Sequence, residues 1–400
     1  MKIFQKIIGI VVFASLVFGL YRVGSFGYQN LRGARSAFGP LVKPPTNTAS
    51  TNTASDTTGL GLTLPAGFHV SIFAKDVPNA RVLVFDPTGT LLVSEPSQGK
   101  VVALIDSDND GVSDKKAVVV EGLNLLHGLA FKDGNLYVGE TDKVTKFSYN
   151  AATHTASNKQ KLFDLAGNGN HFSRSIGFGP DGKLYVTIGS TCNVCLEKNA
   201  MRAAIYSAEP DGSNFRSFAT GLRNSPFFIW HPTTKDMWAT EMGRDLLGDD
   251  IPPDEINIVK SGSFYGWPYC YGKKIHDGKF DTSQKFIDLC NSSVPSHIDL
   301  QAHSAPLGLA FIPPSWPKEY QDDLLVSYHG SWNRTTPTGY KVVRMKLDKN
   351  GAYEKTEDFL TGFIEQNGAK GRPVDLLFDS KGVLYISDDK AGSVYRMSKI

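Results

Sequence analysis

Six times along the chain a short apolar run is followed by a polar turn and then by a second apolar run. The first copy is Val82-Leu83-Val84-Phe85, a turn at Asp86-Pro87-Thr88-Gly89-Thr90, then Leu91-Leu92-Val93. The second runs from Leu129-Ala130-Phe131 through Lys132-Asp133-Gly134-Asn135 to Leu136-Tyr137-Val138, and the third from Ile176-Gly177-Phe178 through Pro180-Asp181-Gly182-Lys183 to Leu184-Tyr185-Val186. Phe228-Ile229-Trp230 leads to Met237-Trp238-Ala239, Leu309-Ala310-Phe311 to Leu324-Leu325-Val326, and Leu376-Leu377-Phe378 to Leu384-Tyr385-Ile386. Runs this short, bounded by Gly and Asp turns, read as strands and not as helices. The first four copies recur roughly every fifty residues, a blade-length period. Small sheets of this kind bury both faces when they are arranged radially. The pattern therefore predicts an all-β, six-bladed β-propeller, with the longer gaps before copies five and six forming loops on the functional face.

Composition agrees and adds limits. The 400 residues include 39 Gly and 21 Pro, and the formal net charge is +2. No global field points to nucleic acid, so any anion site must be local. Lys2 and Lys6 precede an apolar run from Ile7 to Tyr21, broken by Gly9, Ser15 and Gly19. It is short for a membrane span and predicts a secretory signal or an uncleaved anchor within 1–23. The tandem Thr46-Asn47-Thr48-Ala49-Ser50 and Thr51-Asn52-Thr53-Ala54-Ser55 predicts a flexible linker over 24–62, leaving 63–400 as the propeller. The globular part is expected outside the cytoplasm, periplasmic or extracellular, with membrane contact only through the N-terminal segment.

Four cysteines fit export. Cys192-Asn193-Val194-Cys195 is not followed by His and so lacks the haem-attachment signature, and no second CxxC completes a zinc site. Two structural disulfides, Cys192–Cys195 and Cys270–Cys290, are expected; a redox-active pair at 192 and 195 is the alternative. Asp106-Ser107-Asp108-Asn109-Asp110-Gly111 opens like a calcium loop, but Ala117 stands where such a loop carries its bidentate Glu. Asp106, Asp108 and Asp110 are thus either ligands of a structural calcium or part of a solvated acidic turn.

Two stretches carry candidate chemistry. One is Gly169-Asn170-His171-Phe172-Ser173-Arg174; the other is Gly221-Leu222-Arg223-Asn224, followed by Asp254-Glu255-Ile256-Asn257 and Tyr265-Gly266-Trp267-Pro268. Together they resemble the glucose/sorbosone dehydrogenases, in which a six-bladed propeller holds pyrroloquinoline quinone (PQQ). The resemblance runs from about Leu64 to the C-terminus. It implies that His171 takes the proton of the sugar hydroxyl, as suits imidazole. It implies that Arg223 polarises the quinone carbonyl and that Asn224 bonds the cofactor. Arg223 satisfied by an acidic neighbour such as Asp254 is the structural alternative. It also implies a calcium ion on the main-chain oxygens of Gly243 and Arg244.

The chain departs from that family in several places. Arg372 is present, but Val374 stands where a second arginine is common, so His329 or Arg334 is expected to replace it. Trp332 either lines the pocket or caps the propeller surface. The two polar sugar contacts of the glucose-oxidising members fall at Leu123 and Asn170, which puts glucose itself in doubt. His127 and His303 are further loop candidates. The expected activity is oxidation of an aldose or an aldehyde-form sugar such as sorbosone, with a separate, unidentified electron acceptor. A calcium-dependent propeller lactonase and a non-catalytic sugar-binding propeller are the alternatives.

Overall fold

The computed structural model describes residues 54–366 and 368–400. The apolar segment at 7–21 and most of the expected linker lie outside them. Six sheets of four or five strands form the six blades. In blade 1 the strands are Leu83–Phe85, Leu91–Glu95, Lys100–Ile105 and Lys115–Val120, each antiparallel to the next. Blades 2 to 5 start from the inner strands Leu129–Lys132, Ile176–Phe178, Phe228–Trp230 and Pro306–Phe311. Blade 6 combines Pro373–Phe378, Leu384–Asp388 and Ser393–Lys399 with Phe68–Ala74 from the start of the domain. This exchange closes the ring and removes the free edge a last sheet would expose.

The turn chemistry read from the sequence is what makes the hairpins. Asp86 Oδ1 accepts the N–H groups of Thr88 and Thr90 at 2.8 and 2.9 Å, and Asp379 Oδ1 does the same for Lys381 and Val383 at 2.8 Å. Gly89 and Gly382 complete these turns at φ 92° and 82°, values that disfavour any side chain.

At five of the six junctions an aromatic ring on the inner strand of one blade meets a ring of the blade before it. Tyr137 meets Phe178 at 4.9 Å, Tyr185 meets Trp230 at 5.0 Å, and Trp238 meets Phe311 at 5.4 Å, measured between ring centroids. Trp316 meets Phe378 at 5.2 Å and Phe85 meets Tyr385 at 5.5 Å. Between blades 1 and 2 the link is polar, Tyr149 donating to Asp86 at 2.8 Å. Such edge-to-face pairs each add roughly 0.5–1.5 kcal/mol beyond burial. Blade packing is thus a repeated contact, as the sequence period requires.

Residues 54–62, the part of the expected linker that is described, are built into the last blade. Ser55–Asp56 pair in parallel with Phe68–Ala74. Asp56 accepts the Thr58 and Leu62 N–H groups at 2.8 and 2.7 Å, and Leu62 packs in the cluster that holds Phe363. One carboxylate satisfying a tight turn gives this stretch an order that its Thr/Ser-rich composition does not suggest.

The loops entering the inner strands and those joining second to third strands gather at one end, here the upper end. Asp106–Asp114 joins the third and fourth strands of blade 1 and lies at the opposite end. There Asp106, Asp108 and Asp114 bring carboxylate oxygens within 4.8 Å of one another. Asp110 does not join them; its Oδ1 accepts the Val112 N–H at 2.7 Å. The fourth-strand side of blade 4 is interrupted by a climb along the edge of blade 3, where Ser263–Phe264 pair with Ala219–Thr220, and by the helix Gln284–Ser292. The Cys270–Cys290 disulfide ties this insertion, and Cys192–Cys195 closes a four-residue ring in the upper loop of blade 3. Both expected pairings are present. Among the described residues no helix is long and apolar enough to cross a membrane.

Candidate active site

The segments that enter the inner strands supply one positively charged or imidazole side chain after another. Arg81, His127 and Arg174 each stand two residues before the inner strand of their blade. Arg81 is 7% exposed, His127 and Arg174 not at all. Arg81 donates to Asp389 at 2.9 Å and lies 3.5 Å from His127 Nε2, and His127 Nδ1 is 3.3 Å from the Ser175 hydroxyl. Burial, with Arg81 and then Arg174 nearby, keeps His127 neutral well below its usual range. Arg174 donates through its terminal nitrogens to the carbonyls of His171 and Ser173 at 2.9 and 2.8 Å and of Ala166 at 2.7 Å, while its buried Nε has no partner among the described residues. It fixes the backbone that presents His171.

His171 Nδ1 lies 2.9 Å from the Ser190 carbonyl and 3.0 Å from its hydroxyl. A carbonyl can only accept, so Nδ1 carries the hydrogen and the lone pair is left on Nε2. Burial, then the positive charge of Arg223, pushes the imidazole down to about 3. The ring is therefore neutral at ordinary pH. Its Cβ packs on Gly189, where an added Cβ would come to 2.6 Å from His171 Cβ and 2.8 Å from Asn224 Oδ1. His171 and Asn224 thus flank one point of the chain. Gly189→Ala has no backbone strain to explain a loss, since its φ is not left-handed, so it should displace both side chains. We expect a drop of about a hundredfold in turnover, the effect of a misplaced reacting group, with stability lowered by about 1–3 kcal/mol, the cost of overpacking.

Arg223 is 5% exposed and is held on nearly every side. Nε donates to Asn193 O at 2.8 Å, Nη1 to Met242 O at 3.1 Å, and Nη2 to Asn193 Oδ1 at 3.0 Å and Asp245 Oδ2 at 3.2 Å. The acidic neighbour is Asp245, not Asp254. Asp254 instead accepts the N–H groups of Gly243 and Ala305, both at 2.9 Å, and the Ser304 hydroxyl at 3.2 Å. Asn224 receives support from Glu241, whose Oε1 accepts its backbone N–H at 2.9 Å.

A pocket at the upper end of blade 4 is lined by Glu241, Gly243, Arg244, Glu255, Tyr265 and Asp277. Glu241 and Glu255 are directly paired across two strands and are both buried. Burial, then Glu255, pushes Glu241 up to about 8, and burial raises Glu255 as well. Among the described residues the carbonyl oxygens of Gly243 and Arg244 take part in no hydrogen bond. The Arg244 side chain donates at 2.8 Å to Asp277, which also lines the pocket. Two buried carboxylates with free carbonyls beside them are an oxygen donor set for a hard divalent cation.

Other expected residues are placed differently. Leu123 is 6% exposed and belongs to the main core cluster, packed under Gly99, so it does not face a ligand. The neighbouring Asn124 is tied by its N–H to Glu140 at 2.8 Å. Asn170 is exposed at the mouth, its N–H bonded to Thr191 O at 3.1 Å. Trp332 is 42% exposed in the upper loop of blade 5. Arg334 is drawn outward to Asp249 O at 2.6 Å and Asp250 at 3.1 Å, which removes it from the axis. His329 stays there, 2.9 and 3.1 Å from the Asp389 carboxylate. Burial pulls His329 down to about 4 even though Asp389 opposes this. Burial works against ionisation of Asp389, but its contacts with His329 and Arg81 outweigh that and hold it well below the usual carboxylate range. Arg372 donates to Gly330 O at 2.8 Å and stacks 5.1 Å over Tyr340. His303 is buried, its Nε2 2.8 Å from Gly248 O. Arg81, Asn193, Asp245 and Asp389 are site residues that sequence reasoning missed. The signal for Arg81 was its register, shared with His127 and Arg174.

An uncharacterised protein of Borreliella burgdorferi is 31% identical over 357 residues, 84% of this chain and 90% of its own length. A pyrroloquinoline quinone-dependent pyranose dehydrogenase of Coprinopsis cinerea is 25% identical over 84% of this chain, which spans only 54% of that enzyme. In fold, the calcium structure of the family AA12 enzyme of Trichoderma reesei superposes with a TM-score of 0.74 at 23% identity, covering 89% of this chain and 99% of the other. The TrAA12-like family matches residues 62–399, virtually the whole propeller, and the chain belongs to that family.

Proposed function

We propose that this chain oxidises an aldose or an aldehyde-form sugar of the sorbosone type, with PQQ as hydride acceptor and calcium as its companion ion. The observation that carries the reading is His171: Nδ1–H is fixed on Ser190 O, so Nε2 is an oriented, unprotonated base beside the Arg223 cation. The residues fit a planar tricarboxylate. The Nε atoms of Arg81 and Arg372 are buried without a partner, donors in wait for an acceptor. Arg81 thereby supplies the cation that Val374 does not. Glu241, Glu255 and the carbonyls of Gly243 and Arg244 fit calcium.

When bound, the quinone supplies a two-electron acceptor for hydride leaving the sugar carbon. His171 Nε2 receives the hydroxyl proton. Arg223 places fixed positive charge where negative charge develops, and Asn193 and Asp245 spare it any reorganisation at that moment. Ser190 and Arg174 keep the imidazole aimed. A lactonase would need acidic and amide ligands at the axis, where this chain puts Arg81, His127 and Arg174. The N-terminal pattern and both disulfides support export, and the final electron acceptor is a separate partner.

The test is to add PQQ and calcium to the apo-protein and follow the quinone absorbance. Bleaching on addition of an aldose or sugar aldehyde supports the reading. Absence of binding, or lactone cleavage without bleaching, overturns it.

A further inference from the structure

Asn193 sits inside the ring closed by Cys192–Cys195, yet its contacts are all with the arginine site. Its carbonyl accepts from Arg223 Nε at 2.8 Å, and its Oδ1 accepts from Arg223 Nη2 at 3.0 Å and from the Asp245 N–H at 2.7 Å. Its Nδ2 donates to Asp245 O at 3.0 Å. One residue, through its backbone carbonyl and its side-chain amide, therefore grips the Nε/Nη2 edge of the guanidinium and the backbone of Asp245, whose carboxylate completes the grip. Asn333 holds the far oxygen of that carboxylate at 2.8 Å. The ring is joined to the base as well: Ser190 donates its hydroxyl to Cys192 O at 2.7 Å while its carbonyl holds His171.

We propose that Asn193 is a positioning residue for Arg223, and that the Cys192–Cys195 ring exists to hold Asn193 in place. Arg223 has a long, flexible stem, and without an external fork it would spread over several rotamers. A four-residue disulfide ring restricts the backbone at 193, so both the carbonyl and the amide of one residue arrive together. Without Asn193 the guanidinium would keep only Met242 O at 3.1 Å and the partly exposed Asp245 carboxylate at 3.2 Å, neither of which holds Nε. The disulfide thus acts on a site 30 residues further along the chain, not on the stability of its own loop.

This inference rests on the proposed reading only for its consequence in catalysis. Asn193→Ala removes the Oδ1 and Nδ2 contacts and keeps the carbonyl, and Cys192→Ser/Cys195→Ser frees the carbonyl and keeps the amide. Two measurements are made on each full-length protein. In apo-protein, where no cofactor is needed, NMR follows the titration of the His171 imidazole. Arg223 is what lowers it after burial, so both variants should titrate at higher pH than wild type. In protein loaded with calcium, PQQ binding is followed by absorbance, and Asn193→Ala should bind about tenfold more weakly, the effect of one charged hydrogen-bonding group released. A merely structural role would lower the melting point and leave the His171 titration where it is, and that outcome overturns the proposal. If wild type binds no PQQ, the functional reading fails, but the His171 titration still decides the positioning role. Should Asn193→Ala not fold, the double serine variant decides it.

Discussion

His171→Ala is expected to lower sugar turnover by about two to four orders of magnitude, the contribution of a placed general base, while PQQ uptake by the apo-protein stays near wild type. The separation follows from the geometry. The groups fitted to an anion are Arg81, Arg372 and Arg223, and none of them is held by the His171 side chain. Arg174 contacts only the His171 carbonyl, which alanine retains. The variant therefore loses the proton acceptor and little else. Turnover within threefold of wild type would remove His171 from the reaction.

The pH profile sharpens the same test. A base works when unprotonated, so activity falls as pH drops through its pKa. With His171 at about 3, the free protein has this limb far into acid. Part of that depression is the positive charge of Arg223, and an anion seated against Arg223 offsets it. The loaded enzyme should show its acid limb at higher pH than the apo-protein titrates, and His171→Ala should show no such limb in whatever activity remains.

The sequence made the ring legible because each blade repeats one local event: strand, Asp/Gly turn, strand. It also placed His171, Arg223 and Arg372 at the upper end, since loop positions follow from strand order. It did not reveal what those side chains touch. Arg81 and Asp389 are 308 residues apart and meet only because blade 6 closes on blade 1. Leu123 lies in a loop by pattern, but Gly99 lets the chain pack down onto it and turn it into the core. Arg334 has the right charge in the right loop and is lost to Asp249 and Asp250. Asn193 lies between two cysteines, and its contacts with Arg223 and Asp245 come from segments 30 and 52 residues away. For Arg81, Arg334 and Asn193 the deciding partner comes from another blade, and no local pattern encodes it.

Calcium should stabilise the protein strongly above about pH 8 and only weakly below pH 6. Burial, with Glu255 alongside, raises Glu241 to about 8, against 4.5 in the unfolded chain. Burial likewise raises Asp254, which braces Gly243, to about 7. Between those values the folded state binds more protons than the unfolded state, so the slope of stability against pH is negative. The cation-free protein must lose stability as pH climbs from about 4.5 to 8. A divalent cation held by Glu241 and Glu255 would take the place of the proton and offset the buried charge, so its binding should tighten across the same window. At a hundredfold excess over its Kd it adds about 2.7 kcal/mol. Melting curves with calcium and with chelator, taken from pH 5 to 9, should converge at the acid end and separate steadily toward the alkaline end. Glu241→Gln keeps an acceptor for the Asn224 N–H but cannot ionise. It should reduce the slope of the chelator curve to the part that Glu255 and Asp254 contribute, and abolish most of the separation. A calcium effect of equal size at pH 5.5 and 8.5 would mean that the ion sits elsewhere, because a site built on a protonated carboxyl pair cannot bind a cation without first releasing a proton.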